Sequence, residues 1–246
     1  MTPLADYFLP LLLFGSAALY TSVGHAGASA YLASMALVGV APEVMRPTAL
    51  VLNICVASLS VVRFWRAGLV EARLVLLLAA GAAPLAFLGG AIKLSGDIYK
   101  TLVGLLLIAA SVRLLWPVPV TANKEPRPPH PALAVVTGAV IGFLSGLTGT
   151  GGGIFLSPIL IFGGWAATRN ASGVAISFIL CNSVFGLLGN IASVQRLPAE
   201  LPVYLIAVLL GAAVGTALGI KRLPAPMILK ALGVVLAIAG LKLIFT

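Results

Sequence analysis

The sequence predicts an all-α, polytopic membrane helix bundle of two inverted repeats, each opening with a glycine-broken helical hairpin. Three observations lead there. The composition is 61% hydrophobic and only 9% charged. Apolar stretches follow one another in the same order on either side of one polar, proline-rich segment. The basic residues fall unevenly across a membrane only if the second half runs opposite to the first.

Composition comes first. A soluble domain carries about 25% charged residues, and a soluble fold of 246 residues has too much surface for so much apolar sequence to hide. The expected solvent is therefore the lipid bilayer. The formal net charge of +9 does not point to nucleic acid, because the bases lie singly or in pairs between apolar runs and form no patch with aromatics. Cys55 and Cys181 lie inside apolar runs, read as small buried hydrophobes, and have no metal-binding spacing. No basic residue precedes the first apolar run near Leu4. That run is expected to be retained in the membrane and not cleaved as a signal peptide.

Apolar stretches cover roughly 4–40, 47–62, 75–92 and 99–116, then 132–165, 171–194, 201–220 and 225–245. Residues 117–131 are polar and proline-rich. The chain thus divides into a first transmembrane repeat, 1–116, a cytoplasmic linker, 117–131, and a second transmembrane repeat, 132–246. A spanning helix needs about 20 residues, and both opening stretches are far longer. Each is interrupted by glycines, and each break is followed by an aromatic and a leucine, Tyr31-Leu32 and Phe155-Leu156. The next helix in each half carries a hydroxyl five places before an asparagine, Thr48 with Asn53 and Ser177 with Asn182. The recurring order indicates a duplication.

The bases set the relative direction of the halves. If each opening stretch crosses the membrane once, the 15 Lys and Arg divide 8 to 7. If each goes in and returns, the division is 10 to 5, with Arg46, Lys93, Lys100, Arg196 and Lys242 on the poorer side. The positive-inside rule favours the second arrangement. It places the linker in the cytoplasm and both termini outside, in the inner membrane of a bacterial cell.

Irregular backbone survives at membrane depth only where protein or a water-filled cavity surrounds it. Symmetric breaks in the two halves are the best sequence pointer to a transporter's binding site. Gly149, Gly151, Gly152 and Gly153, with Thr148 and Thr150, allow unusual backbone angles and leave unsatisfied N–H groups at a helix start, which suits a small anion. Gly24, His25, Gly27 and Ser29 repeat the idea. His25 is the only histidine in an apolar segment, and a titratable group there is a functional candidate. Thr48, Asn53, Ser177 and Asn182 either line the cavity or hydrogen-bond between helices. Ser172 belongs with them. Gly89-Gly90, Gly186, Gly189 and the Gly211, Gly215, Gly219 series read as packing positions. Arg46, at a helix start on the outer side, either attracts an anion or anchors the interface, and the anchor is the favoured reading. All six acids lie near segment ends, and no Gly-Lys-Ser/Thr follows the glycine run. The expectation is therefore no enzyme, no cofactor and no metal site.

At these residues the chain resembles the TauE/SafE family of membrane permeases. The likeness rests on Gly24-His25-Ala26-Gly27 with Ser29, on Ser145-Gly146-Leu147-Thr148-Gly149-Thr150-Gly151-Gly152-Gly153, and on the Thr48/Asn53 and Ser177/Asn182 pattern. Ala26 and Ala28 stand where many members carry more glycine. The resemblance implies an inner-membrane transporter of sulfite or organosulfonates. The fourteen candidate residues, from Gly24 through Asn182, would hold the anion near the midplane between the breaks. A permease for another small anion or a divalent metal cation, or a non-transporting membrane subunit, are the alternatives. The expected partners are that anion and the lipid, with no nucleic acid, in a monomer or homodimer.

Overall fold

The structure is a computed structural model that describes residues 3–22, 24–116, 126–221 and 225–245, with the side chains of 3–7, 168–169, 193, 195, 217–221, 225–229 and 231–232 left aside. Most of the expected linker, together with Lys124, Glu125 and Arg222, lies outside the described residues, as do the side chains of Asp6, Arg169 and Lys221.

Among the described residues ten α-helices follow in order: α1 Pro3–Ser22, α2 Ala28–Leu37, α3 Pro42–Arg66, α4 Ala72–Ala91, α5 Gly96–Leu115, α6 Pro131–Thr148, α7 Gly153–Phe162, α8 Thr168–Gly189, α9 Leu201–Lys221 and α10 Ala225–Phe245. A short 3₁₀ turn, Ile191–Arg196, joins α8 to α9. Proline marks several of the starts, α3 and α6 among them. Pro42 and Pro131 sit in the first turns of α3 and α6, where a missing N–H costs nothing. The His130 ring accepts from the Ala132 N–H at the start of α6. Among the described residues, α3, α4, α5, α6 and α8 are long and apolar enough to cross a membrane.

Each opening stretch is a hairpin with unequal arms. At 1.5 Å per residue, the 20 residues of α1 reach about 30 Å, whereas the 10 of α2 reach about 15 Å. In the second half α6 has 18 residues and α7 has 10. Glycine chemistry sets these lengths. After α1, Gly24 takes φ 81° and two bonds close the helix end, the Gly24 N–H to the Thr21 carbonyl and the His25 N–H to the Tyr20 carbonyl. The left-handed Gly27, Gly39, Gly152 and Gly164 flank α2 and α7. Gly24, Gly27 and Gly39 recur as Gly149, Gly152 and Gly164, each 125 residues further on.

Packing exchanges helices between the halves: α1 lies on α9 and α6 lies on α4. Leu78, Ala82 and Ala86 of α4 meet Gly138, Gly142 and Gly146 of α6 in the same order, so this pair is parallel. Phe14 and Ala18 of α1 likewise meet Gly211 and Gly215 of α9. The corresponding helices α3 and α8 run antiparallel, with Leu50 against Gly186 and Asn53 against Ser183. So do α5 and α10, with Gly104 against Gly240 and Leu115 against Gly233. Of the packing glycines of the sequence reading, Gly90 lies against Gly186 and Gly189 against Phe87, where α4 meets α8.

The distribution of polarity is that of a protein in lipid. Leu11, Leu76, Leu105, Val136, Ile206 and Ile238 are each more than half exposed, and all lie inside helices. Thr48, Asn53, Thr148, Asn182 and Ser183 are fully buried. In water the first set would be costly; in hydrocarbon the second must find partners inside the bundle.

Candidate functional site

The two breaks meet. One small cavity is lined from the first half by Tyr20, His25, Gly27, Ala28, Ser29 and Asn53, and from the second by Thr150, Gly153, Ile154 and Ile179. Ala28 and Ser29 are the first residues of α2, and Gly153 and Ile154 are the first of α7. Two half-length helices therefore bring their N-terminal turns to one space. The first N–H groups of a helix have no partner within it, and its N-terminus carries about half a positive charge. The cavity measures about 10 Å³, the scale of a single water molecule. In this conformation the space holds nothing larger.

Glycine is required here by contact as well as by backbone angle. A Cβ on Gly151 would stand 2.4 Å from Asn53 Nδ2, and one on Gly152 would stand 2.7 Å from Ile141 Cγ2 and 3.1 Å from Asn182 Nδ2. A Cβ on Gly153 would lie 2.2 Å from Ile179 Cδ1, and one on Gly24 would lie 2.7 Å from Ser172 Cβ. Gly149 caps α6 with φ 82° and packs on the backbone and Cγ of Arg46. At Gly27 the Tyr31 ring fills the place of a side chain, and its hydroxyl donates to the Ala26 carbonyl at 2.6 Å.

The polar groups tie one half to the other. His25 Nε2 and Ser157 Oγ of α7 are 2.8 Å apart, and the Tyr20 ring meets the His25 ring edge-on at 6.4 Å. Asn53 Nδ2 donates to Ser183 Oγ at 2.9 Å, and Asn182 Nδ2 donates to the Gly151 carbonyl at 3.4 Å. Oδ1 of both asparagines is buried without a partner. Thr148 Oγ1 and Thr150 Oγ1 are 3.1 Å apart, and Tyr99 Oη donates to the Thr148 carbonyl at 3.0 Å.

Of the residues predicted from sequence, His25, Gly27, Ser29, Asn53, Thr150 and Gly153 line the cavity. Gly24, Gly149, Gly151, Gly152, Thr148 and Asn182 form the wall behind it. Thr48 is buried off the cavity with its hydroxyl unpartnered, and Ser177 donates to the Gly173 carbonyl of its own helix at 2.8 Å. Tyr20, Ser157, Ser183 and Ile179 are participants that the sequence reading passed over. Ser157 had a signal: it lies four residues after Gly153, on the same face of α7. Arg46 differs from its reading as an interface anchor. It is 6% exposed, and its guanidinium donates to the carbonyls of Gly89, Gly90 and Ile92, capping α4.

The outer ends of the half-helices carry cations from the opposite repeat. Lys242 of α10 donates to the carbonyl of Leu37, the last residue of α2, at 2.8 Å. Arg113 of α5 lies over the ring of Phe162, the last residue of α7, at 5.5 Å. These bases are 129 residues apart, the spacing of Asn53 and Asn182. A cation offsets the negative end of the helix dipole and leaves the positive end aimed at the cavity. Lys242→Met, which keeps the stem and removes the charge, is expected to cost about 1 kcal/mol, read as a thermal melt a few degrees lower in detergent. An unchanged melt would show that the contact contributes nothing.

Among the described residues no three His, Cys, Asp or Glu side chains gather into a group. The cavity is lined by hydroxyls, an amide, an imidazole and helix N-termini. The sequence matches the family described as "Sulfite exporter TauE/SafE" over residues 9–243. A relative from Sinorhizobium fredii (strain NBRC 101917 / NGR234), "Probable membrane transporter protein y4hK", is 38% identical over 243 residues, covering 96% of this chain and 97% of the relative. No solved structure matches.

Proposed function

The chain belongs to the TauE/SafE sulfite exporter family of membrane transporters, and from that membership we propose that it is a secondary transporter of small sulfur-containing anions, sulfite or an organosulfonate, working by alternating access. The observation that carries the reading is the cavity between α2 and α7, where two helix N-termini and His25, Ser29, Asn53 and Thr150 converge. Helix N-termini and hydroxyls are donors, and a sulfur oxyanion offers only acceptors. His25 donates one ring proton when neutral and supplies a charge when protonated, which gives a route to proton coupling.

The reading includes two inverted repeats that rock about the site. The antiparallel pairs α3/α8 and α5/α10 support it, as does the 125-residue recurrence of the left-handed glycines. The cavity is too small for an oxyanion of four or more heavy atoms, so the walls must move apart for one to bind. The inner membrane, with both termini outside, is the orientation that the distribution of bases favours.

Proteoliposomes loaded on one side with sulfite, sulfoacetate or another sulfonate test the proposal. Wild-type protein is expected to move at least one of them. His25→Ala and Gly152→Leu are each expected to lower that flux at least tenfold, the effect of about 1.4 kcal/mol at the site. Undiminished flux in both variants would remove the site from this cavity.

A further inference from the structure

A second cavity lies away from the breaks. It is an open pocket of about 380 Å³ at the starts of α3 and α5, beside the 3₁₀ turn after α8. Its lining includes Arg46, Lys93 and Arg196, with Glu43, Tyr99 and Asn190. One acid stands against three bases, so the pocket carries a net positive charge. Lys93 and Arg196 are exposed, whereas Arg46 is more than nine-tenths buried. The guanidinium of Arg46 places Nη1 and Nη2 on the α4 carbonyls and leaves Nε buried with no partner. A buried donor without a partner is unfavourable, so this side chain is satisfied only in part by its capping role.

The floor of this pocket is the back of the second break. Gly149 packs on Arg46, and Tyr99 donates to the Thr148 carbonyl. Thr148 meets Thr150, which lines the central cavity. One layer of residues, 148–150, separates the two spaces.

We propose that this pocket is a second anion site, a vestibule in which Arg46, Lys93 and Arg196 concentrate a small oxyanion before or after it passes the Thr148–Thr150 layer. The proposal rests on the transport reading for the identity of the cargo, but the site itself rests on the pocket. A cleft of one charge sign raises the local counter-ion concentration, and the effect fades with ionic strength. Arg46 is the inner member of the set, and its contact with Gly149 makes the break the nearest backbone to a docked anion.

The test is uptake of radiolabelled sulfite by proteoliposomes at low and high ionic strength, together with equilibrium binding of the same label to purified protein. Lys93→Gln with Arg196→Gln changes two exposed side chains, so folding is expected to be retained. The expected result is a KM roughly fivefold to tenfold higher at low salt, with kcat unchanged and the salt dependence flattened. Equilibrium binding should lose its weaker class of sites in this variant and its stronger class in His25→Ala. Unchanged KM, salt dependence and binding would overturn the vestibule and leave the central site standing. Binding that is lost in Lys93→Gln with Arg196→Gln but not in His25→Ala, without any uptake by wild-type protein, would support the vestibule and sink the transport reading instead.

Discussion

Gly151→Ala is expected to lower anion flux at least tenfold, with the purified protein still monodisperse. Two effects act together. Gly151 holds φ 74°, a conformation that costs an L-residue about 1–2 kcal/mol. The added methyl would also stand 2.4 Å from Asn53 Nδ2 and 3.2 Å from Ile179 Cγ2. Asn53 is fully buried and donates to Ser183 at 2.9 Å, so pushing its amide aside breaks that bond and leaves the Nδ2 donor unpaired at about 1–3 kcal/mol. Both penalties fall on the wall of the cavity and displace the groups that face it. Gly15→Ala is the control, because Gly15 has nothing within 4 Å of an added Cβ and lies in an ordinary helix. Combining Gly151→Ala with Asn53→Ala relieves the clash but not the backbone strain. The pair should therefore be less damaging to thermal stability than the sum of the two changes. Gly151→Ala transporting at the wild-type rate would mean that the break does not form the site wall.

Much of this was legible in the sequence because it rests on composition and on glycine. The apolar stretches, both breaks and the recurrence of Thr48/Asn53 as Ser177/Asn182 are visible without coordinates. The unequal arms of the hairpins were not. Hydropathy is nearly continuous from 4 to 40, and only the left-handed Gly24 and Gly27 mark where α1 stops and α2 begins. Arg46 was misread for a physical reason. A charge count treats every base as facing water, whereas here the guanidinium caps the last carbonyls of α4 inside the bundle. Thr48 and Ser177 matched as a pair in sequence, yet Ser177 bonds its own helix. Periodicity cannot tell a hydroxyl that bonds backward along its helix from one that reaches across a cavity. The partnership of His25 with Ser157 joins residues 132 apart, a contact that no local pattern encodes.

Gly138→Leu is expected to be the most damaging substitution for the fold, because it strikes the seam that carries the second break. Gly138, Gly142 and Gly146 bring α6 directly onto the backbone of α4. A Cβ on Gly138 would lie 2.0 Å from the Leu78 carbonyl oxygen, and one on Gly146 would lie 2.2 Å from that of Ala86. Backbone cannot rotate out of the way as a side chain does. The helices must separate, and the packing that draws them together in lipid is lost along the whole seam. The expected cost is about 3 kcal/mol, the upper end for overpacking a close contact. For a chain of this length that corresponds to a melting temperature roughly 10 °C lower, with reduced yield of folded protein. Transport per folded molecule should fall as well, for a reason of position. The end of α6 carries Thr148 and Gly149, and the end of α4 is held by Arg46, on which Gly149 packs. A wedge between the helices therefore moves the wall of the cavity along with the seam. Gly15→Leu, placed where nothing crowds the position, should melt close to wild type. If Gly138→Leu also melts with the wild type, the close approach of α4 and α6 does not hold the bundle together.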